Sequence, residues 1–552
     1  MLRLALAVAL GISVLGHGHE VQDADKSTGA TPVKADAAVD SLAEATQLSR
    51  DGQFEMAIKK YQEVLAKSPN SSAAYAGLIR VYLKQRDVQQ ASDTIAKAIQ
   101  AADGPALRVA LGEVYFRQGK LSEAEHEWIA VLNSGHADAR AYLGLARIAR
   151  AYSMYKRAKE KIEKARALDG ADPDVEGFWL DTLSRSDRIQ YLESALATTS
   201  KEDTKTREDL QHYLDYLKAR QQDPQRNCRL VGDVSSTETD LMPMSDPYQL
   251  RGMGLSVSVN GAKANLLLDT GASGILVDRG MAEKAGLTKL TETSIWGFGD
   301  KGVNAGWVGV ASSIKIGRLE FQNCPVSVID KRSVAEENGL IGTDVFEQFL
   351  VDIDFPARKF RLSELPKRPG ETDEVMKLVS NPAADTDATG GQTADGSKTA
   401  STSSGPLDAY TAPEMKSYTK VFRFGHQLLI PTRIGNSPPK FFVIDTGAFS
   451  NMIDPSAARE VTKVHGDQNT VVKGVSGSVK KVYSADKAVL VFGHLHQENQ
   501  DVVSFDMSRL SDGIGTEISG TLGFRMLNLF EVKIDYRDGL VDFLYDPNRA
   551  HY

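Results

Sequence analysis

The chain has 552 residues, 25% of them charged, and a formal net charge of −8. That length implies several domains, and the composition is that of a soluble, mildly acidic globular protein. No basic patch interleaved with aromatic residues is present, which excludes a nucleic-acid-binding reading.

The N-terminus, MLRLALAVALGISVLGHGHE, carries one Arg and then an apolar run of about a dozen residues. The run is short for a membrane span and fits a secretory signal peptide over residues 1–18. The expectation is export, to a periplasm or the extracellular space, with no membrane span once the peptide is removed. An uncleaved anchor is the alternative. Residues 19–40 are rich in Ala, Asp, Thr and Lys without an apolar period, and read as a flexible tether.

Over residues 41–172 the pattern is helical and repeats. Ala57, Ala91, Ala124 and Ala158 recur at spacings of 34, 33 and 34, and Tyr61, Ile95, Trp128 and Ile162 each follow four later. Small residues at regular intervals suit close helix crossings, where a larger side chain would hold the helices apart. These positions resemble the tetratricopeptide repeat family, which implies a solenoid of helix pairs that recruits a protein partner or holds a peptide. Residues 173–227 continue as amphipathic helix, with Leu210, Tyr213, Leu214 and Leu217 on one stripe. They read as helices that cap the solenoid and connect it to the remainder of the chain.

Two later segments repeat each other. The first holds LLLDTGASGILVD, Leu266 to Asp278, and the second FFVIDTGAFSNMID, Phe441 to Asp454. Gly297 and Gly474 stand at nearly equal offsets from Asp269 and Asp445, 28 and 29. Leu340-Ile341-Gly342 and Thr521-Leu522-Gly523 end at offsets of 73 and 78 from the same acids. Phe349 and Phe530 then stand seven past those glycines, and Asp354 and Asp535 twelve past. An acid at the end of a buried strand is costly unless its charge is hydrogen-bonded or shared. A glycine two residues on lets the backbone turn and offer that acid an N–H, and the threonine between can lock the turn through its hydroxyl. Asn260-Gly261 between apolar runs reads as a hairpin leading into the first motif. The segment between the repeats, 366–410, has a low-complexity centre and reads as a linker.

These motifs resemble the retropepsin-like aspartic peptidases, over Leu250 to about Glu364 and Tyr418 to about Asp546, within two domains read as residues 228–365 and 411–552. The resemblance implies a multidomain chain: an all-α helical-repeat solenoid followed by two all-β repeats that form a bilobed pseudo-dimer. It implies catalysis by Asp269 and Asp445, held in turns made by Thr270, Gly271 and Ala272 and by Thr446, Gly447 and Ala448. It also implies flaps at Trp296, Gly297, Phe298 and Gly299 and at Gly474, Val475, Ser476 and Gly477, closing over an extended peptide or protein substrate. No metal or other cofactor is called for. Two carboxyl groups about 3 Å apart share one proton and can act as acid and base on water and a carbonyl. With Ala272 and Ala448 beyond the turns, no side-chain hydroxyl steadies the anion there, and activity is expected at mildly acidic to near-neutral pH. The competing class is a non-catalytic peptide-binding or scaffold protein built on the same two parts.

Other features are weaker. His494 and His496 share a strand face but lack a third ligand at useful spacing. Asp354 and Asp535 sit on closing strands and read as structural. Cys228 and Cys324 are the only cysteines; in an exported protein they could pair or remain free buried thiols.

Overall fold

The computed structural model describes residues 33–548, apart from 202, 222–227, 233, 246–248, 296, 298, 301, 303, 330–337 and 370–407. The expected signal peptide, most of the tether and the centre of the linker lie outside the described residues.

Helical hairpins come first: Val33–Arg50 with Phe54–Lys67, Ser72–Lys84 with Val88–Ala101, Pro105–Arg117 with Leu121–Asn133, and Ala139–Ala151 with Tyr155–Leu168. The first helix begins inside the stretch read from sequence as a tether. Ala35, Ala37 and Ala38 are strong helix formers and extend it upstream. The side chains of Ser71, Asp87 and Asp138 accept backbone N–H bonds at the starts of their helices, satisfying donors that a helix cannot pair internally. The four recurring alanines are all buried. Trp128 is wedged between its hairpin partner Pro105–Arg117 and the first helix of the next hairpin, Ala139–Ala151. A Cβ on Gly112 or Gly144 would lie 2.5 Å from its ring, so both must be glycine for this crossing to close. Pro173–Leu180, Arg185–Thr198 and Thr204–Gln221 follow. Leu210, Leu214 and Leu217 of the expected stripe are buried against Ile189 and Leu192.

The β-rich part is built twice around a strand that ends in Asp. Ala262–Asp269 lies between Leu250–Val259, antiparallel, and Gly339–Gly342, parallel, with Gly342 paired to Asp269. Lys440–Asp445 lies likewise between Gln427–Ile434 and Gly520–Gly523, with Gly523 paired to Asp445. The recurring glycines make room for the adjacent turns. A Cβ on Gly342 would sit 2.5 Å from the Ala272 carbonyl oxygen, and one on Gly523 would sit 2.3 Å from the Ser450 backbone.

The closing strands of the two repeats, Phe349–Asp354 and Glu531–Asp535, pair with each other inside one six-stranded sheet. Asp354 and Asp535 are buried there and accept backbone N–H bonds from Ala357 and Asp538 in the turns beyond them. One hydrophobic core then runs through both repeats, from Leu268, Ile341 and Phe346 to Ile444, Leu522 and Phe543. Cys228 is disulfide-bonded to Cys324, joining the entry of the first repeat to its strand Cys324–Ile329.

The helical array docks on the second repeat through its middle hairpins, whereas chain order suggests a junction with the first. Phe116, Leu121, Ile148 and Ala151 form one apolar cluster with Leu429, Phe441, Val443 and Met452. Phe116 stacks at 6.0 Å on Phe424, and Tyr152 packs edge-on at 4.8 Å to Phe422. Around this patch the Arg117 guanidinium meets Asp512 at 3.1 Å, and the Thr516 hydroxyl donates to the Phe116 carbonyl at 2.8 Å. Burial of this aromatic edge makes the array part of the β-domain's stability. Phe116→Ala is therefore expected to cost about 3–5 kcal/mol, read as a lower urea midpoint of the cooperative transition. An unchanged midpoint would mean that the array and the second repeat do not pack together in solution.

Candidate active site

Asp269 and Asp445 end equivalent strands and are brought face to face. Each carboxyl lies over the turn glycine of the other repeat. A Cβ on Gly271 would stand 2.7 Å from the Asp445 carboxyl, and one on Gly447 would stand 2.3 Å from that of Asp269. Only glycine permits this approach, so Gly271 and Gly447 serve the opposite turn as well as their own.

The threonines are more than locks on their own turns. The Thr270 N–H donates to the Thr446 hydroxyl at 3.0 Å, and the Thr446 N–H donates to the Thr270 hydroxyl at 2.9 Å. Each hydroxyl then donates across the axis, Thr270 to the Ile444 carbonyl at 2.7 Å and Thr446 to that of Leu268 at 2.8 Å. Both threonines are buried. This reciprocal four-bond lock corrects the single-turn expectation. The hydroxyl reaches the opposite strand end because the two turns stack on a pseudo-twofold axis.

The carboxyl groups are unequal. Asp445 accepts at Oδ1 from the Gly447 and Ala448 N–H groups, both at 3.0 Å, and is 5% exposed. Asp269 accepts from Gly271 at 2.8 Å. The Ala272 N–H bonds the Asp269 backbone carbonyl at 3.4 Å and supports the carboxylate only as a weaker influence than Gly271. Burial raises both acids above the ordinary carboxylate range, and for Asp269 the neighbouring Asp445 charge raises it further. The additional backbone donor at Asp445 favours the negative charge of the pair there.

The described residues of the two expected flaps meet tip to tip. The Gly297 N–H donates to the Ser476 hydroxyl at 3.1 Å, and the Asn304 side-chain amide donates to the Val475 carbonyl at 3.0 Å. Gly299 lies against Ser476 and Gly477, where a Cβ would stand 2.4 Å from the Gly477 carbonyl oxygen. Gly474 and Gly477 pair across the second tip. Trp296 and Phe298 lie outside the described residues.

Comparison with known proteins bears on this geometry. The sequence model of a family described as "Aspartyl protease" matches residues 255–345. Two described as "Tetratricopeptide repeat" match residues 48–106 and 109–175. The chain carries an aspartyl protease domain behind tetratricopeptide repeats. A curated relative, the UBA domain-containing protein Mud1 of Schizosaccharomyces pombe, is 34% identical over 132 residues, which is 23% of this chain. The match spans 38% of that relative's length. Among solved structures, the aspartic proteinase from Irpex lacteus is similar at 12% identity with a TM-score of 0.33, over 56% of this chain and 98% of its own.

Within the aspartyl protease domain, an apolar wall flanks the first turn. It comprises Leu267, Leu276, Ile295, Ile329, Leu340 and Met244, with Ala272 and the flap residue Val475 packed against it. On the other side Val443, Ala448, Met452 and Phe505 belong to the cluster that continues into the helical array. His494 and His496 stand exposed around the hairpin turn at Gly493.

Sequence reasoning missed three polar groups beside the turns. Asp344 accepts from the Ser273 hydroxyl at 2.8 Å and the Gly274 N–H at 2.9 Å, and its burial raises its pKa. Gln427 donates to the Gly271 carbonyl at 2.6 Å, and its amide nitrogen lies 2.8 Å from His426 Nε2. Burial pushes His426 down to about 4. Position alone could have flagged Asp344, two residues past Gly342; nothing local marks the other two.

His426 sets a pH dependence of stability. Between about pH 6.5 and 4 the unfolded imidazole binds a proton that the folded one refuses, so stability falls as pH drops through that window. The loss reaches about 3 kcal/mol at its acid end. His426→Asn is expected to flatten this part of a Tm-against-pH curve. An unchanged slope would show that His426 is not held neutral.

Proposed function

We propose that the protein is an aspartic endopeptidase that hydrolyses peptide bonds with a water activated by Asp269 and Asp445. The observation that carries this reading is the interlocked pair of turns, which holds two carboxyl groups together, one supplied with two backbone donors and the other less so. Ionised Asp445 takes a proton from water as the water oxygen attacks the scissile carbonyl carbon. Protonated Asp269 gives its proton to the carbonyl oxygen, leaving a neutral gem-diol. Asp445 then passes its proton to the amide nitrogen while Asp269 recovers one from a diol hydroxyl. The C–N bond breaks, and the carboxyls return to their starting states without a covalent intermediate.

The wall formed by Leu267, Leu276 and Leu340 favours an apolar side chain on the first-repeat side of the cleft. The flap tips would exclude water from the bound segment. The tetratricopeptide repeats would bring in a protein partner or substrate. Export is part of the same proposal, supported by the Cys228–Cys324 disulfide, a bond that persists in oxidising compartments.

The test incubates the purified full chain with a mixed peptide library from about pH 3.5 to 7.5, in water enriched in oxygen-18. Expected are internal cuts with one heavy oxygen in each new carboxyl and an optimum on the mildly acidic to neutral side. A folded protein that cuts nothing at any pH would sink the proposal and bring peptide binding without cleavage to the front.

A further inference from the structure

The two halves of the site differ at one register position. Gln427 lies two residues before Leu429, which pairs with Val443, and so stands in line with Asp445. Its counterpart in the first repeat is Gly252, two residues before Gly254, which pairs with Leu267, and so in line with Asp269. Gly252 has no side chain to send across, and a Cβ there would stand 2.6 Å from Leu267. Gln427 crosses the axis and donates to the carbonyl of the Gly271–Ala272 peptide. That same peptide carries the N–H that would be the full second donor to Asp269, as the Ala448 N–H is to Asp445.

We propose that Gln427 is a positioning residue that makes the two turns unequal. By holding the Gly271 carbonyl, it keeps the Ala272 N–H from closing on the Asp269 carboxyl as the Ala448 N–H, which also reaches the Asp445 backbone carbonyl, closes on that of Asp445, and so leaves Asp269 the less supported of the pair. The proton of the dyad then resides on Asp269, and the roles of acid and base are assigned before substrate arrives.

The surroundings fit this task. Gln427 is 6% exposed, and its Oε1 has no hydrogen-bond partner among the described residues. One amide hydrogen goes to the Gly271 carbonyl, and the amide nitrogen lies 2.8 Å from Nε2 of His426, whose ring also bonds the Gly271 backbone. The charged and titratable groups around it are otherwise engaged. His426 is held neutral above its depressed pKa. Arg423 donates to Glu347 and to the Tyr536 carbonyl, both at 2.8 Å. Asp344 is bonded to Ser273 and Gly274, and Arg251 lies over the Phe449 ring.

The inference rests on the peptidase reading for its kinetic consequence, but not for its test. The full chain, labelled with carbon-13 at Asp carboxyls, is titrated by NMR, with Asp269→Asn and Asp445→Asn used to assign the pair. Gln427→Met keeps the volume and removes the donors; Gln427→Ala is the second variant, and each is checked for cooperative unfolding. In wild type the two titrations are expected to be well separated, with Asp269 the last to lose its proton. In either variant the separation should shrink by about one pH unit, the worth of one added backbone donor to an anion. The upper limb of the pH–rate profile should move down by the same amount. At fixed pH in the neutral range kcat should drop about tenfold, since one pH unit on that limb is tenfold in the protonated acid, with KM nearly unchanged. An unchanged separation in a folded variant overturns the role of Gln427. If wild type cuts no peptide, the peptidase reading fails, and the carboxyl titrations still decide whether Gln427 orders the pair.

Discussion

Asp269→Asn and Asp445→Asn each lower peptide cleavage by about 10²- to 10⁴-fold, the usual range for removing a positioned acid or base. The two losses are expected to be of similar size, because each carboxyl carries its own proton transfer in every step and neither can replace the other. Asn fills nearly the same volume, so the turns should survive. The Gly447 and Ala448 N–H groups that now bond the Asp445 carboxylate can still bond an amide oxygen. The decisive control is an equimolar mixture of the two inactive variants. The lock between the turns is made within one chain, so mixing should restore nothing. Recovered activity would show that repeats pair between chains.

Thr270→Val and Thr446→Val are expected to be strongly destabilising. Either change removes one hydroxyl that accepts a buried N–H and donates to a buried carbonyl. Each of the two stranded partners carries a desolvation penalty of about 1–3 kcal/mol, so each variant should lose about 2–6 kcal/mol. Against a typical total of roughly 5–15 kcal/mol, that is enough to unfold a marginal chain. Valine has almost the same shape, so packing is preserved and the effect isolates the hydrogen bonds. The double variant should lose less than the sum, since both threonines belong to one network. Denaturant midpoints of the three variants check this. Strict additivity would mean that the two hydroxyls act independently.

The Asp-Thr-Gly turns, their flanking strands and the glycines beside them were readable in the sequence, because each depends on local backbone geometry and recurs. The same holds for the alanines of the helical array, whose spacing reports helix crossings directly. What was not readable depends on contacts between distant segments. The threonine hydroxyls act across 176 residues and Gln427 across 156, and neither residue type announces such a partner. Phe422, Phe424 and Phe441 read as ordinary strand residues, yet they form the floor on which the array sits. The flap aromatics Trp296 and Phe298 stand as expectations from sequence.

The docking of the array has a consequence for how the molecule is made. The Phe116 carbonyl waits for the hydroxyl of a residue 400 positions later. At roughly 5–20 residues per second, the aromatic edge of the array is finished about 20–80 seconds before the surface that covers it exists. During that interval a nascent chain displays Phe116, Leu121 and Tyr152 to whatever is nearby. Truncated or stalled products would keep that edge bare. Completion of the second repeat is thus the event that converts a sticky intermediate into a closed molecule.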